Sequence, residues 1–260
     1  MIQSFYTASS GLHSQQINID VIGANVANVG TTGYKYQRLD FKEALYTRMR
    51  NPVDNGDHMN LQLGTGALPL QINRIFMQGA AVTTDRPLDF MIQGRGFFTI
   101  QGFDEEGYEM PLYTRDGTFY LTPDAQLVDS AGRYVLDENG GIITIEGDPS
   151  RMRVDTDGRL YFEDIYGDVI ESEIRLGIAD FINPNGLLAV GENAYMQTEN
   201  SGEAEAMEEP HVISGALEGS NVDLALETTR LIRAQRAYQF ASRALGVADQ
   251  MAGLANSIRQ

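Results

Sequence analysis

Near the N-terminus, Phe5, Leu12, Ile19 and Val26 recur at a spacing of seven, with Ala8, Ile22 and Val29 three positions behind. Only Gln15 breaks the second row, and polar Gln16, Asn18 and Asp20 turn away from it. This pattern predicts a helix with a heptad seam over about 25 residues. Gly30-Thr31-Thr32-Gly33 closes it, glycine being the residue that most readily takes the left-handed conformation at a helix end.

The C-terminus carries a second such pattern. Phe240, Ala244, Val247, Met251, Leu254 and Ile258 alternate at steps of four and three, and Leu224, Leu231, Tyr238 and Leu245 recur at seven. Ala234, Ala241, Ala248 and Ala255 keep a further face small, which permits close helix approach. A helix apolar on more than one stripe is buried on more than one side. Ser220 or Asn221 is the expected N-cap, with Asp223 in the first turn opposing the helix dipole. The competing interpretation is an ordinary amphipathic helix capping a globular core.

Between the ends the period changes to two. Asp116-Gly117, Asn139-Gly140 and Asp157-Gly158 are turn dipeptides flanked by short alternating runs: 97–101, 118–122, 134–136, 142–145, 159–163 and 175–179. The chain therefore reads as α+β, with N- and C-terminal helices paired as a coiled coil and a mostly antiparallel all-β domain inserted between them. The expected division is a helical domain from 1–35 and 215–260, an extended connector at 36–75, a β-rich domain at 76–210, and an acidic return linker at 199–214.

Charge sharpens this division. The net charge of −17 is carried by residues 51–210, where nine arginines face 29 acids, while residues 1–50 and 211–260 are slightly positive. An acidic body repels nucleic acid and anionic lipid, so neither is an expected partner. The near-neutral ends can approach copies of themselves, and an N-terminal arm with so narrow a seam is expected to fray until neighbours surround it. No signal peptide is legible at Met1–Tyr6, and no apolar run is long enough to span a membrane.

Candidate chemistry is sparse. The chain has no cysteine, and His13, His58 and His211 lie far apart, so no metal site and no cofactor is expected. Gly94-Arg95-Gly96-Phe97-Phe98 lacks the third glycine and the following helix of a dinucleotide loop. Asp155-Thr156-Asp157-Gly158 opens like a calcium loop but lacks the closing glutamate, which leaves a hairpin turn. A glycosidase carboxylate pair among the body's acids is not ruled out by sequence alone, but no acid sits in an apolar setting that would raise its pKa, and no tryptophan offers a sugar platform. No catalytic residue is assigned, and an enzyme is not expected. A β-rich glycan-binding or glycan-cleaving protein stays as the alternative of another class.

The segment Asn25-Val26-Ala27-Asn28-Val29-Gly30-Thr31-Thr32-Gly33-Tyr34-Lys35 closely resembles the signature of bacterial flagellar axial proteins, Asn-x-Ala-Asn followed by a Thr-x-Gly-aromatic-Lys turn. Leu63-Gly64-Thr65-Gly66, the run from Pro87 to Phe98 and Tyr113-Thr114-Arg115-Asp116-Gly117-Thr118-Phe119 resemble the rod branch. Leu217-Glu218-Gly219-Ser220-Asn221-Val222 and Gln235-Arg236-Ala237-Tyr238 look most like the distal rod type, with the proximal rod type or a short hook-type protein as alternatives. The resemblance implies a structural basal-body subunit that leaves the cell through the flagellar export apparatus without signal cleavage. It further implies a helical homopolymer whose terminal helices form an inner layer and whose β-domain faces outward, alongside other rod and hook proteins and, in a two-membrane envelope, ring bushing proteins. The expected assembly interface is Phe5, Leu12, Ile19, Val26, Leu231, Tyr238, Leu245, Met251, Leu254 and Ile258. Asn25, Ala27, Asn28, Gly33 and Tyr34 carry the signature, the two asparagines being expected to bond backbone at the helix end.

Overall fold

The computed structural model describes residues 2–48, 62–103, 107–145, 152–163, 169–207 and 209–258. The chain folds as two compact units: residues 1–27, 37–74 and 223–260 form one, and residues 28–36 with 75–222 form the other. The class is α+β, with a long helix at each end and a mostly antiparallel β-region between.

The first unit contains α1 (Ile2–Ala27), β1 (Gln37–Glu43), β2 (Thr47–Arg48), β3 (Gln62–Leu63), β4 (Ala67–Arg74) and α2 (Leu224–Ile258). α1 and α2 pack along each other, and β1 and β4 form an antiparallel pair that also packs on α1. α1 stops two residues short of Val29, which lies exposed in the turn after it. α2 runs unbroken through Gly246 and Gly253. Its N-cap is Asp223, not Ser220 or Asn221: Asp223 Oδ1 accepts from the backbone N–H of Ala225 at 2.9 Å and of Leu226 at 3.1 Å. That side chain satisfies two donors the first turn would otherwise leave open.

The second unit holds β5 (Ala81–Thr83), β6 (Phe90–Ile92), β7 (Phe97–Phe103), β8 (Glu109–Thr114), β9 (Tyr120–Leu121), β10 (Leu127–Val128), β11 (Met152–Val154), β12 (Arg159–Glu163), β13 (Val169–Arg175), β14 (Ile178–Asp180), β15 (Leu188–Gly191), β16 (Ala194–Met196), β17 (Glu205–Ala206), β18 (Val212–Ser214) and β19 (Ala216–Glu218). Six of these make an antiparallel sheet in the order β15-β16-β8-β7-β14-β17. β7 is central and buried on both faces, so alternation sends Phe98 and Ile100 into the main core and Phe97 into a smaller one. The smaller core is aromatic: Phe97, Phe181, Tyr113, Tyr195 and Phe76 meet edge to face. β11 and β12 form the hairpin expected around Asp157-Gly158, with Gly158 at φ +77°. The returning chain runs beside the outgoing one, β19 on β5 and β18 on β6, so residues far apart in sequence converge at Glu218.

Candidate assembly interface

In the first unit, the end of α1 meets the start of α2 and both helices continue away from that point side by side, so they are antiparallel. Against α1, α2 turns Glu227 and Ala234, both buried, and half-buried Leu231, Ala237, Ala241, Leu245 and Ala248. These positions step by three and four along one face, and the middle of the seam is alanine. Apart from Leu231 and Leu245, the larger apolar side chains of α2 point elsewhere. Phe240 is 67 % exposed, Leu254 65 % and Met251 57 %, and Leu224, Ile232, Tyr238 and Val247 are also exposed.

α1 behaves alike. Its most buried residues are Ser14, Val21, Ile22 and Asn25, whereas the row at spacing seven is shallower. Leu12, Ile19 and Val26 are half-buried and Phe5 is exposed. Of the ten interface positions read from sequence, then, Phe5, Tyr238, Met251 and Leu254 lie open. Leu12, Ile19, Val26, Leu231 and Leu245 rim the seam. Ile258 ends α2, and its side chain lies outside the described residues.

The signature residues divide between the units. Asn25 belongs to the first and is fully buried. Its amide makes a two-point contact with β1, accepting from Gln37 N–H at 2.9 Å and donating to Gln37 O at 2.8 Å. The same Nδ2 donates to Glu227 Oε2 at 3.1 Å, and Arg230 reaches Glu227 Oε1 at 2.7 Å. Asn25 thus bonds the backbone of a strand distant from the helix end and is not a helix cap. Ala27 is exposed and ends α1.

Asn28, Gly33 and Tyr34 belong to the second unit. Thr31 donates from its backbone N–H to Asn28 O at 3.2 Å and from its hydroxyl to Asn28 Oδ1 at 3.1 Å, closing a turn. Gly33 sits at φ +68°, and an added Cβ would lie 2.7 Å from Asp116 N, so only glycine fits there. Its N–H reaches Glu218 O at 2.8 Å. Tyr34 is buried beside it in the chain.

Lys35, next in sequence, enters a buried ionic cluster that sequence reasoning missed. Lys35 Nζ donates to Glu218 Oε1 at 2.5 Å and to Met77 O at 3.0 Å. Arg115 Nη1 donates to Glu218 Oε2 at 3.3 Å, and Nη2 donates to Gly94 O at 2.8 Å. The Gly79 N–H completes the carboxylate's shell at 2.8 Å, and any side chain at Gly79 would collide with Gly219 O. Burial pushes the Lys35 ammonium below the ordinary lysine range despite the opposing pull of Glu218, and it lowers Arg115 in the same way. The Arg115 guanidinium also lies over the Phe97 ring at 5.2 Å. Asn221 braces the same region, accepting from Tyr36 N–H at 2.7 Å and donating to Ile75 O and Met77 O.

The sequence is matched by known proteins along the whole chain. Residues 5–35 match the model of flagella basal body rod proteins. Residues 91–162 match the D1 domain of flagellar hook proteins of the FlgE/F/G group, and residues 213–258 match the C-terminal model of flagellar basal body rod FlgEFG proteins. The flagellar basal-body rod protein FlgG of Bacillus subtilis is 35 % identical over 96 % of this chain and 97 % of its own length. The chain belongs to the flagellar basal-body rod protein family. FlgG of Borreliella burgdorferi is 35 % identical with both chains covered in full, and the flagellar hook-basal body complex protein FlhP of Bacillus subtilis is 33 % identical, also over both full lengths. The three matched segments contain Asn25 and Lys35, Arg115, and Glu218 and Glu227, whereas the strand partner Gln37 lies between two of them. The rod-family chain is a structural component of the bacterial flagellar basal body. No helix among the described residues is long and apolar enough to cross a membrane.

Proposed function

We propose that this rod-family chain polymerises through the outward faces of its terminal helices, in the distal section of the rod that carries torque from motor to hook. The observation that carries this is the sorting of side chains on α2: an alanine-rich face with Leu231 and Leu245 against α1, and Phe240, Val247, Met251 and Leu254 outward. Each such side chain gains about 1.5–3 kcal/mol on full burial, which a second copy can supply. Charge supports the same assignment. The helical unit carries ten Lys/Arg against eight Asp/Glu, while the β-unit carries nine against 28. Homotypic contact is least opposed where charge is nearly balanced.

A heterologous contact that does not close generates a helical tube, the geometry a rod needs. The partners we assign are further copies, other rod and hook proteins, the flagellar export apparatus and, where an outer membrane is present, ring bushing proteins around the acidic body. The part is mechanical and not enzymatic, in keeping with the buried carboxylates Glu218 and Glu227, whose oxygens are taken up by neighbouring donors. The residues assigned to assembly are those named above, with 1–35 and 215–260 acting together, 36–75 and 199–214 as the two connections and 76–210 as the outer domain.

Phe240→Asp combined with Leu254→Asp tests the assignment. The double variant is expected to stay monomeric with unchanged circular dichroism under conditions where the parent forms filaments in electron microscopy. Filaments of normal length from the double variant would overturn it.

A further inference from the structure

The facing rows of the helix pair leave its register weakly specified. On α1, Asn25, Asn18 and Gly11 follow one another at seven; on α2, Glu227, Ala234 and Ala241 do the same. In an antiparallel pair anchored at Asn25 and Glu227, these rows lie level, so Asn18 comes opposite Ala234 and Gly11 opposite Ala241. Small side chains repeat on both sides, and the flanking apolar rows of both helices also repeat at seven. A slip by one heptad, about 10 Å along the axis, therefore exchanges alanine for alanine along the middle of the α2 face, while at its edge Tyr238 takes the place of Leu231. Packing alone discriminates poorly among such registers.

We infer that the buried Asn25–Glu227 contact sets the register of the terminal helices, with Glu227 as the positioning residue. Asn25 is a fixed reference, because its two bonds to Gln37 leave the amide a single orientation. The remaining Nδ2 hydrogen is aimed at Glu227, and Arg230 from the next turn of α2 neutralises the carboxylate. Sliding α2 one heptad in one direction sets Ala234 against Asn25, leaves the buried amide hydrogen without its acceptor and carries Glu227 past the end of α1. Sliding it the other way sets Glu227 against Asn18, whose amide donates to Gln15 at 3.4 Å and, among the described residues, is held by no strand. Either slip strands polar groups that are costly to bury alone. A single buried polar contact among interchangeable apolar ones is a known means of fixing helix register. The consequence for assembly is direct: α2 shifted by a heptad would present Phe240, Val247, Met251 and Leu254 to neighbouring copies two turns out of place.

The inference deepens the assembly reading, but its test reads the register inside one chain and does not depend on polymer formation. The parent has no cysteine, so introduced pairs report alone. Asn18→Cys with Ala234→Cys marks the observed register; Gly11→Cys with Ala234→Cys marks a slip, and Gly11 has open space for a side chain. Each pair is placed in the full chain at low concentration, oxidised, and the intramolecular bridge quantified by mass. The native pair is expected to exceed the slipped pair by about tenfold or more in the parent and in Glu227→Gln, whose amide oxygen still accepts from Asn25. In Glu227→Ala the ratio is expected to fall by about tenfold or more, with the slipped bridge rising. A merely stabilising glutamate would lower both bridges together, and that outcome overturns the inference. A Glu227→Ala chain that keeps the native ratio overturns it as well.

Discussion

Replacing Glu218 by alanine is the sharpest perturbation of the β-unit. One carboxylate there faces two cations, Lys35 and Arg115, and all three side chains are buried, with exposures of 4 % or less. Truncation removes the acceptor for both cations and for the Gly79 N–H. Leaving a buried charge without its partner costs about 3–5 kcal/mol, and here two are left. At a urea m-value of about 2–3 kcal/mol/M, the midpoint should fall by roughly 1–2 M. The chain has no tryptophan, so the transition is followed by near-ultraviolet circular dichroism of Tyr113 and Tyr195, which lie in the aromatic core of this unit. Replacing all three residues by apolar ones, Lys35→Met, Arg115→Met and Glu218→Leu, should cost far less than Glu218→Ala, since a buried ionic cluster contributes little net stability over well-packed apolar groups.

The pH dependence supplies an independent check. With Lys35 held below its ordinary range, the unfolded chain binds that proton at pH values where the folded chain has released it. Stability therefore rises with pH as the ordinary lysine range is approached from below. Removing Glu218 removes the contributions that raise Lys35, so the depression deepens and the window widens downward. The deficit of Glu218→Ala relative to the parent should shrink as the pH is raised from 7 towards 10. A variant within about 1 kcal/mol of the parent at neutral pH, or one whose deficit grows with pH, would refute the claim that the cations depend on this carboxylate.

The alanine seam and the Gly33 turn lead to two further outcomes. Ala234→Leu inserts three carbons into the buried face of α2 and should destabilise the helix pair by about 1–3 kcal/mol, read from the thermal loss of helical circular dichroism; an unchanged transition would show the seam to be loose. Gly33→Ala should cost more than the roughly 1–2 kcal/mol of a left-handed alanine, because the new methyl also meets the Asp116 backbone, and the loss should appear in the urea transition of the β-unit.

What the sequence made legible follows from how far apart the interacting residues lie. Both terminal helices were read from periodicity, and Arg159–Glu163 appears as a strand with the bounds expected from its alternation and its Asp157-Gly158 turn. β1 and β4 were missed. Gln37–Glu43 holds four charged residues among seven, and its partner lies more than twenty residues on, so neither hydrophobic alternation nor a tight turn announces the pair. The pairing of β5 and β6 with β19 and β18 is hidden for the same reason, spanning more than a hundred residues of intervening chain. Lys35 was visible as the last residue of a motif, but Arg115 and Glu218 have no fixed spacing from it, and only the sheet brings them together. The sequence points Asn25 to bonds at the helix end, and nothing local announces the strand at Gln37 that it holds. Depth on the helices is not legible from the heptad rows, which name the large residues, whereas the middle of the α2 seam is alanine.

That last difference bears on how a rod subunit is built. A helix pair closed by leucine on leucine would satisfy itself and leave little reason to recruit neighbours. Here the inward face of α2 is largely alanine, with Leu231 and Leu245 at its edges, and the residues of α1 that are buried most deeply are Ser14, Val21, Ile22 and Asn25, so only part of the apolar area of the two helices is withdrawn from water. Phe240, Val247, Met251 and Leu254 are left exposed, and under the proposed assembly their burial would be realised only when other copies are present. Polar contacts that depend on exact placement, Asn25 with Gln37 and Glu227, then do what bulky packing does elsewhere. They orient the helices at little stabilising gain, and under the proposed assembly the outward stripe would then be presented in one register to the next subunit.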